Sequence, residues 1–223
     1  MSCGALCVAL GDGFSAVLER AGPLTVGAKA RGVLAIAALS AGALADRETL
    51  SRLLWSEASE ARRRAALRQC LRGLGSALAA LGYRGFKADR DSVALDEERL
   101  VVDLLAVRRC AAQGVPHPAL AAGDDPFARF ESAAATIDPA FALWAGRKAR
   151  MLRAGTVADL ALALAGAEDA AQVAGLARAA LALDPCDERA ARRLMAAQAA
   201  LGAPQEAFAA YDALWTALDA RCG

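Results

Sequence analysis

The sequence predicts a mostly α-helical protein with a small amount of β-structure. Hydrophobic residues make up 57% of the chain, but aromatic residues only 5%, a composition typical of Ala-rich helices in close contact. Short strand-like runs are confined to residues 1–103, and residues 104–223 show helical periodicity only. We therefore expect two domains with these boundaries.

Residues 1–103 contain the signals of short strands, three helices and a terminal hairpin. The predicted strands are residues 5–10, 14–18, 24–26, 84–88, 92–95 and 101–103, and the predicted helices are residues 29–39, 47–55 and 59–81. Gly11-Asp12-Gly13 forms the first turn and Asp89-Arg90-Asp91 joins the hairpin. This order predicts a winged helix-turn-helix, in which the third helix enters the DNA major groove and the hairpin touches the backbone or minor groove.

Residues 104–223 contain helices separated by Pro and Gly breaks. The predicted helices are residues 103–113, 126–135, a long one from Asp138-Pro139, 167–183, 187–201 and 204–220. Antiparallel pairs with Ala and Leu at the contacts, and Asp184-Pro185 at a joint, favour an all-α stack like that of tetratricopeptide repeats. No strict 34-residue repeat is visible, so helix lengths and breaks support this prediction.

The third helix of the first domain divides into an apolar and a polar face. At 100° per residue, one face carries Leu67, Cys70, Leu71, Leu74, Leu78 and Leu81. The opposite face carries Arg62, Arg68, Gln69, Arg72 and Ser76. Arg pairs with guanine edges or phosphates and Gln with adenine, so we take Arg62, Arg68, Gln69 and Arg72 as candidate groove contacts. Gly73 and Gly75 each weaken the helix by about 1 kcal/mol relative to Ala, and we expect its second half to bend or fray.

Positive charge concentrates in this region. Residues 59–90 hold eight Lys or Arg against two acids, in a chain of formal net charge +1. Arg84, Lys87 and Arg90 on the hairpin are candidate phosphate contacts. The alternative for all these residues is an ordinary solvated basic surface.

Two further basic residues are candidates for contact with phosphate. Arg63 lies nearer the apolar face, where it either contacts phosphate from the helix N-terminus or pairs with an acid such as Glu60. Lys29, near a helix start, is another candidate phosphate ligand.

Catalysis and metal binding are not expected. The six cysteines form no Cys-x-x-Cys pair and His117 is the only histidine, so a structural zinc site is not predicted. We expect Cys70 and Cys110 to be reduced core thiols, His117 to be structural, and Trp55, Trp144 and Trp215 to pack between helices. No catalytic constellation is present, so we predict no enzyme and no cofactor.

Neither secretion nor membrane insertion is expected. The N-terminus lacks the basic segment of a signal peptide. The longest uncharged run, residues 32–45, is too short to span a bilayer. Together with the reduced cysteines, these features predict a cytoplasmic protein.

Short stretches in order along nearly the whole chain resemble one family of bacterial regulators. In the first domain they are Gly22-Pro23-Leu24-Thr25-Val26, Lys29-Ala30-Arg31-Gly32-Val33-Leu34-Ala35, Arg47-Glu48-Thr49-Leu50, Leu53-Leu54-Trp55, Ala61-Arg62 and Leu67-Arg68-Gln69. In the second they are Asp138-Pro139-Ala140-Phe141 through Trp144, Arg147 to Leu152, Ala182-Leu183-Asp184-Pro185, Glu188, Leu194-Met195, Leu201-Gly202 and Ala207 to Tyr211. The order and spacing resemble the SARP family, the Streptomyces antibiotic regulatory proteins. That family joins an OmpR-type winged helix to a bacterial transcriptional activator domain.

The resemblance implies a transcription activator that binds direct repeats in promoter DNA through its third helix. It also implies a helical domain that holds RNA polymerase subunits or forms a homodimer, and a location on the nucleoid. The segment before Gly22 matches poorly, and Gly73 and Gly75 stand where relatives have better helix formers. Near-neutral net charge and these glycines favour the alternative, an interaction adaptor whose winged helix no longer binds DNA.

Overall fold

The chain is mostly helical with two small sheets, which confirms the predicted fold class. The computed structural model describes residues 5–222, without the side chains of Ala41 and Cys222; Cys3 lies outside this range. The strands are β1 (Leu6–Ala9), β2 (Ser15–Leu18), β3 (Gly22–Pro23), β4 (Leu44–Asp46), β5 (Phe86–Ala88), β6 (Ser92–Leu95) and β7 (Leu100–Val102).

The helices follow the predicted breaks closely. They are α1 (Ala28–Leu39), α2 (Arg47–Leu54), α3 (Glu60–Ala80), α4 (Asp103–Ala112), α5 (Pro118–Ala121), α6 (Pro126–Ala134), α7 (Pro139–Gly166), α8 (Ala170–Leu183), α9 (Glu188–Ala200) and α10 (Pro204–Cys222). Of these, only the single-turn helix α5 was not predicted. Short 3₁₀ turns precede β4 and β7.

The first sheet has the strand order β3-β2-β1-β7, with β1 and β7 parallel. The third predicted strand is shifted: β3 is Gly22–Pro23, and Leu24 adds only one further hydrogen bond, from its N–H to the carbonyl of Ala16. Asp103, at the start of α4, accepts hydrogen bonds from the backbone N–H groups of Leu10 and Gly11 at 2.9 and 2.8 Å. This carboxylate therefore fixes the turn after β1 against α4.

The second sheet has the order β4-β6-β5, with all pairs antiparallel. The hairpin β5–β6 was predicted, but β4 was not. Helices α1, α2 and α3 followed by this hairpin are consistent with a winged helix-turn-helix. We call β5, β6 and the turn between them the wing.

Helices α1 and α2 approach closely at Gly32. A Cβ atom at this position would collide with the side chain of Leu54. Since Leu54 is fully buried, the glycine allows α2 to lie directly against α1.

By packing, the chain forms two compact units. One contains the residues up to Leu105 and Phe127–Arg150, and the other contains Ala106–Pro126 and the residues from Met151 on. In the first, Phe14 stacks on Phe130 with ring centroids 5.2 Å apart and meets Phe141 edge-on at 5.9 Å. The domain boundary between residues 103 and 104 stays a prediction.

In the second unit, α8, α9 and α10 pack in succession and α5 packs on α8. The Asp187 side chain accepts hydrogen bonds from the N–H groups of Arg189 and Ala190 and caps α9. Arg193 of α9 donates to the carbonyl oxygens of Leu164 and Ala167 at 2.9 and 2.6 Å, and so satisfies backbone groups at the end of α7.

Candidate nucleic-acid interface

The helix α3 is unbroken from Glu60 to Ala80, although Gly73 and Gly75 lie inside it. The expected fraying of its second half is therefore not observed. The buried side chains are the predicted ones, Leu67, Leu71, Leu74 and Leu78. Four buried leucines stabilise the helix by roughly 1.5–3 kcal/mol each, which outweighs the two glycines. Burial raises the pKa of the Cys70 thiol to about 11, as expected for a packed, protonated cysteine.

The opposite face of α3 carries the predicted groove contacts. Arg62, Arg68, Gln69 and Arg72 are all exposed. Within the described residues, none of these four side chains forms an ion pair or a side-chain hydrogen bond. Their donor groups are thus available to an external ligand.

Arg63 differs from its neighbours. It is half-buried, and its Nε atom is buried without a hydrogen-bond partner in the described part of the chain. The predicted partner Glu60 binds Arg64 instead, with Nη2 and Oε1 2.5 Å apart. Glu60 and Arg64 have the i,i+4 spacing at which acidic and basic side chains pair on a helix.

The wing carries two of the other predicted contacts, and Arg84 lies just before it, because β5 begins at Phe86 and not at residue 84 as predicted. Arg84, Lys87 and Arg90 are exposed. The wing turn is closed by the Asp89 N–H, which donates to the Ser92 carbonyl at 2.9 Å, and Arg90 lies inside this turn.

Two clefts lie between α3, the start of α2 and the wing. The larger, of about 670 Å³, has Arg64 and Arg68 from α3 and Arg90 from the wing in its walls. The smaller, of about 350 Å³, has Arg68 and Arg72 from α3. Both also include Arg47, the first residue of α2.

The structure thus brings together three of the eight predicted site residues around these clefts: Arg68, Arg72 and Arg90. The other five are Arg62, Arg63, Gln69, Arg84 and Lys87, and none of them lines either cleft. Arg47 and Arg64 were missed. Arg64 had a signal, its place in the basic run of α3, but Arg47 reaches the wing only because β4 pairs with β6.

Acidic groups also line the larger cleft. Asp46 caps α2 by accepting a hydrogen bond from the Thr49 N–H at 2.7 Å. Burial works to raise the pKa of Asp46, but the hydrogen bonds from Thr49 and neighbouring backbone groups together lower it. Glu48 lies 3.8 Å from Arg52, and Asp91 of the wing turn is the third acid.

Lys29, a candidate phosphate ligand, forms polar contacts within the protein. Its Nζ donates to the Asp138 carboxylate at 3.1 Å and to the Ile137 carbonyl at 2.8 Å, and lies 5.9 Å from the centroid of the Trp55 ring. Burial works to raise the pKa of Asp138, but hydrogen bonds from Ser56, Lys29 and backbone groups together lower it. The contact between Lys29 and this buried carboxylate is a charge-assisted hydrogen bond.

Three further features of the described residues concern metal binding, the role of His117 and membrane insertion. No group of three or more His, Cys, Asp or Glu that suits a metal ion occurs among residues 5–222. His117 caps α5 through its Nδ1 atom, which accepts the Ala119 N–H. None of the helices described is long and apolar enough to cross a bilayer.

The predicted packing of Trp215 between helices is wrong, because Trp215 on α10 is 64% exposed. Trp144 stacks on Phe141 of the same helix, α7, with ring centroids 5.5 Å apart, and its packing against another helix stays a prediction. Phe208 and Tyr211, which lie on α10 with Trp215, are 72% and 52% exposed. Their spacing of three and four residues places the three rings along one side of α10, which we call the aromatic face.

Comparison with known proteins gives one informative result. No curated protein matches the chain. The family model described as "Bacterial transcriptional activator domain" matches residues 95–223, more than half of the chain. The chain therefore belongs to the bacterial transcriptional activator domain family.

Proposed function

We propose that this protein is a sequence-specific DNA-binding transcription regulator that activates from repeats in promoter DNA. Membership of a transcriptional activator family supports the regulatory role. The N-terminal part supports DNA binding, because its three helices and wing have the order of a winged helix-turn-helix.

One observation carries the proposal: α3 has exposed arginines on the face opposite its buried leucines. The buried face holds the helix to the protein, while Arg68 and Arg72 project to solvent without internal partners. A helix about 10–12 Å across fits the major groove. Arg68, Gln69 and Arg72 would contact base edges and Arg62 the groove wall.

The flanking basic residues would supply affinity without sequence preference. Lys87 and Arg90 on the wing and Arg84 just before it are exposed and would contact phosphates. Arg63, half-buried near the start of α3, would reach a phosphate only with its terminal nitrogens. Arg64 lines the larger cleft and joins this set.

The helical domain would contact RNA polymerase subunits or a second copy of the chain. The aromatic face of α10 supports this part of the proposal, because three exposed aromatic rings on one helix are typical of a protein interface. A regulator of this kind acts on the nucleoid in the cytoplasm and needs neither a cofactor nor catalytic activity.

The alternative is an interaction adaptor that binds protein rather than DNA through its winged helix. The acids at the larger cleft favour the adaptor, since the carboxylates of Asp46, Glu48 and Asp91 would repel the phosphates of a nearby DNA backbone. This repulsion is weaker where the carboxylate has a partner within the protein: Glu48 pairs with Arg52, and Asp46 accepts a hydrogen bond from the Thr49 N–H.

Direct binding to mixed-sequence duplex DNA at two salt concentrations tests the proposal. We expect the wild type to bind at low salt and less tightly at high salt. Arg68→Ala/Arg72→Ala should bind more weakly. The matched control Arg189→Ala/Arg192→Ala, which removes two exposed arginines from α9, should bind like the wild type. No binding by the wild type at low salt would favour the adaptor, and equal binding by both variants would show that Arg68 and Arg72 do not contact the DNA.

A further inference from the structure

The start of α2 is bonded to the wing turn at two points. The Arg47 N–H donates to the Asp91 carbonyl at 2.9 Å. The Arg47 side chain donates from Nη1 to the Asp89 carbonyl at 2.8 Å. These two carbonyls belong to the residues on either side of Arg90, which we call the wing tip. Arg47 therefore bonds the backbone both before and after the wing tip.

The same arginine also borders α3. It is half-buried and forms part of the wall of both clefts, together with Arg68. Pairing of β4 with β6 sets Asp46 opposite Ser92. This pairing places Arg47, the next residue, between the wing turn and α3. A charged donor on a backbone carbonyl is among the stronger hydrogen bonds in proteins.

We propose that Arg47 is a positioning residue for DNA binding: it fixes the wing tip relative to α3 so that both engage one duplex without rearrangement. This inference rests on the proposed DNA-binding function. Arg47 acts through Arg90 and Lys87 of the wing rather than on DNA itself. Binding is tighter because a wing fixed in place loses less conformational freedom on binding.

The variant Arg47→Met tests the inference, because methionine keeps most of the aliphatic stem and removes the donors. It should bind duplex DNA about tenfold more weakly, equivalent to the loss of one good hydrogen bond. The matched control is Arg189→Met, which removes an exposed arginine on α9 and should bind like the wild type.

A double-mutant cycle separates positioning from direct contact. If Arg47 acts through the wing, Arg47→Met should have little further effect on a protein that already carries Lys87→Ala/Arg90→Ala. If Arg47 contacts phosphate itself, the two losses should add, and that result would overturn the inference. Arg47→Gln repeats the cycle if Arg47→Met does not fold.

Amide hydrogen exchange of the free protein provides a readout that does not depend on DNA. Arg47→Met should speed exchange at the wing, including the Asp89 N–H that closes the turn, and leave the amides of α3 unchanged. Unchanged wing exchange would contradict the inference. If the wild type binds no DNA but Arg47→Met still loosens the wing, the DNA-binding proposal fails while the structural role of Arg47 stands.

Discussion

Gly73 and Gly75 lie two residues apart in α3, but an added methyl group meets different surroundings at each. A Cβ at Gly73 would have nothing within 4 Å, whereas one at Gly75 would lie 3.4 Å from the Phe86 ring. Gly73→Ala should therefore raise the free energy of unfolding by about 0.5–1 kcal/mol, because alanine loses less backbone entropy in a helix. Urea unfolding measures this, with Gly75→Ala expected to gain less. A loss of stability for Gly73→Ala would contradict the geometry of α3.

Asp138 links stability to pH. Since its folded-state pKa is lowered, the carboxylate stabilises the fold at pH values above its unfolded pKa of about 4. That contribution is lost as pH falls through the folded-state pKa. Asp138→Asn should lose about 1–3 kcal/mol at pH 7, and the difference from the wild type should shrink in acid.

Urea unfolding at pH 7 and at decreasing pH measures this difference. The control is Asp219→Asn, which changes an exposed acid on α10 and should have little effect. A loss that stays constant at every pH would show that the charge of Asp138 is not what matters.

The residue roles that the sequence predicted are those set by local periodicity. Exposure of Arg68 and Arg72 follows from their angle on one helix. The roles of Lys29 and Arg47 depend on partners 109 and 42 positions away along the chain. No local pattern contains that information. The contact of Lys29 with Asp138 and the hydrogen bonds from Arg47 to the wing could therefore be found only in the structure.

At the scale of elements, the helices were predictable because caps and breaks mark their ends. Asp169 and Asp187 cap α8 and α9 by accepting hydrogen bonds from backbone N–H groups. The strand β4 was not predictable, because three residues carry no periodicity and the strand exists only through pairing with β6. The position of Arg47 depends on this unpredicted strand.

The aromatic face of α10 leads to a prediction about activation. Phe208→Gln/Trp215→Gln should change the free energy of unfolding by no more than about 0.5 kcal/mol, because both side chains are exposed. DNA affinity should be unchanged, while transcript yield with purified bacterial RNA polymerase should fall. The matched control is Leu162→Gln, which alters an exposed apolar residue on α7. Equal transcript yields for all three proteins would exclude the aromatic face as a polymerase contact.

At the scale of the whole molecule, charge distribution matters more than net charge. The chain is nearly neutral, with 26 basic and 25 acidic residues, but residues 59–90 are strongly basic. DNA affinity should therefore depend on salt through a small local surface. Arg84→Ala/Lys87→Ala/Arg90→Ala should lower the slope of log affinity against log salt by about 0.9 for each phosphate contact removed.

Titration of one duplex at several salt concentrations measures that slope. The Arg189→Ala/Arg192→Ala control should keep the wild-type value. An unchanged slope in the wing variant would show that the wing does not contact phosphates.

The order of elements along the chain was predictable, but their packing was only partly so. Phe130 and Phe141 pack against Phe14 in one compact unit. Composition changes after Leu104, which predicts a boundary there, but aromatic contacts between such distant positions leave no trace in composition.

Selection from a pool of randomised duplex DNA at low salt tests the central claim most directly. The wild type and Arg68→Ala/Arg72→Ala are compared, after circular dichroism has shown that both are folded. We predict that the wild type enriches a repeated motif and that the variant does not, because α3 reads the bases. No enriched motif with the wild type, or the same motif with both proteins, would contradict sequence-specific recognition by α3.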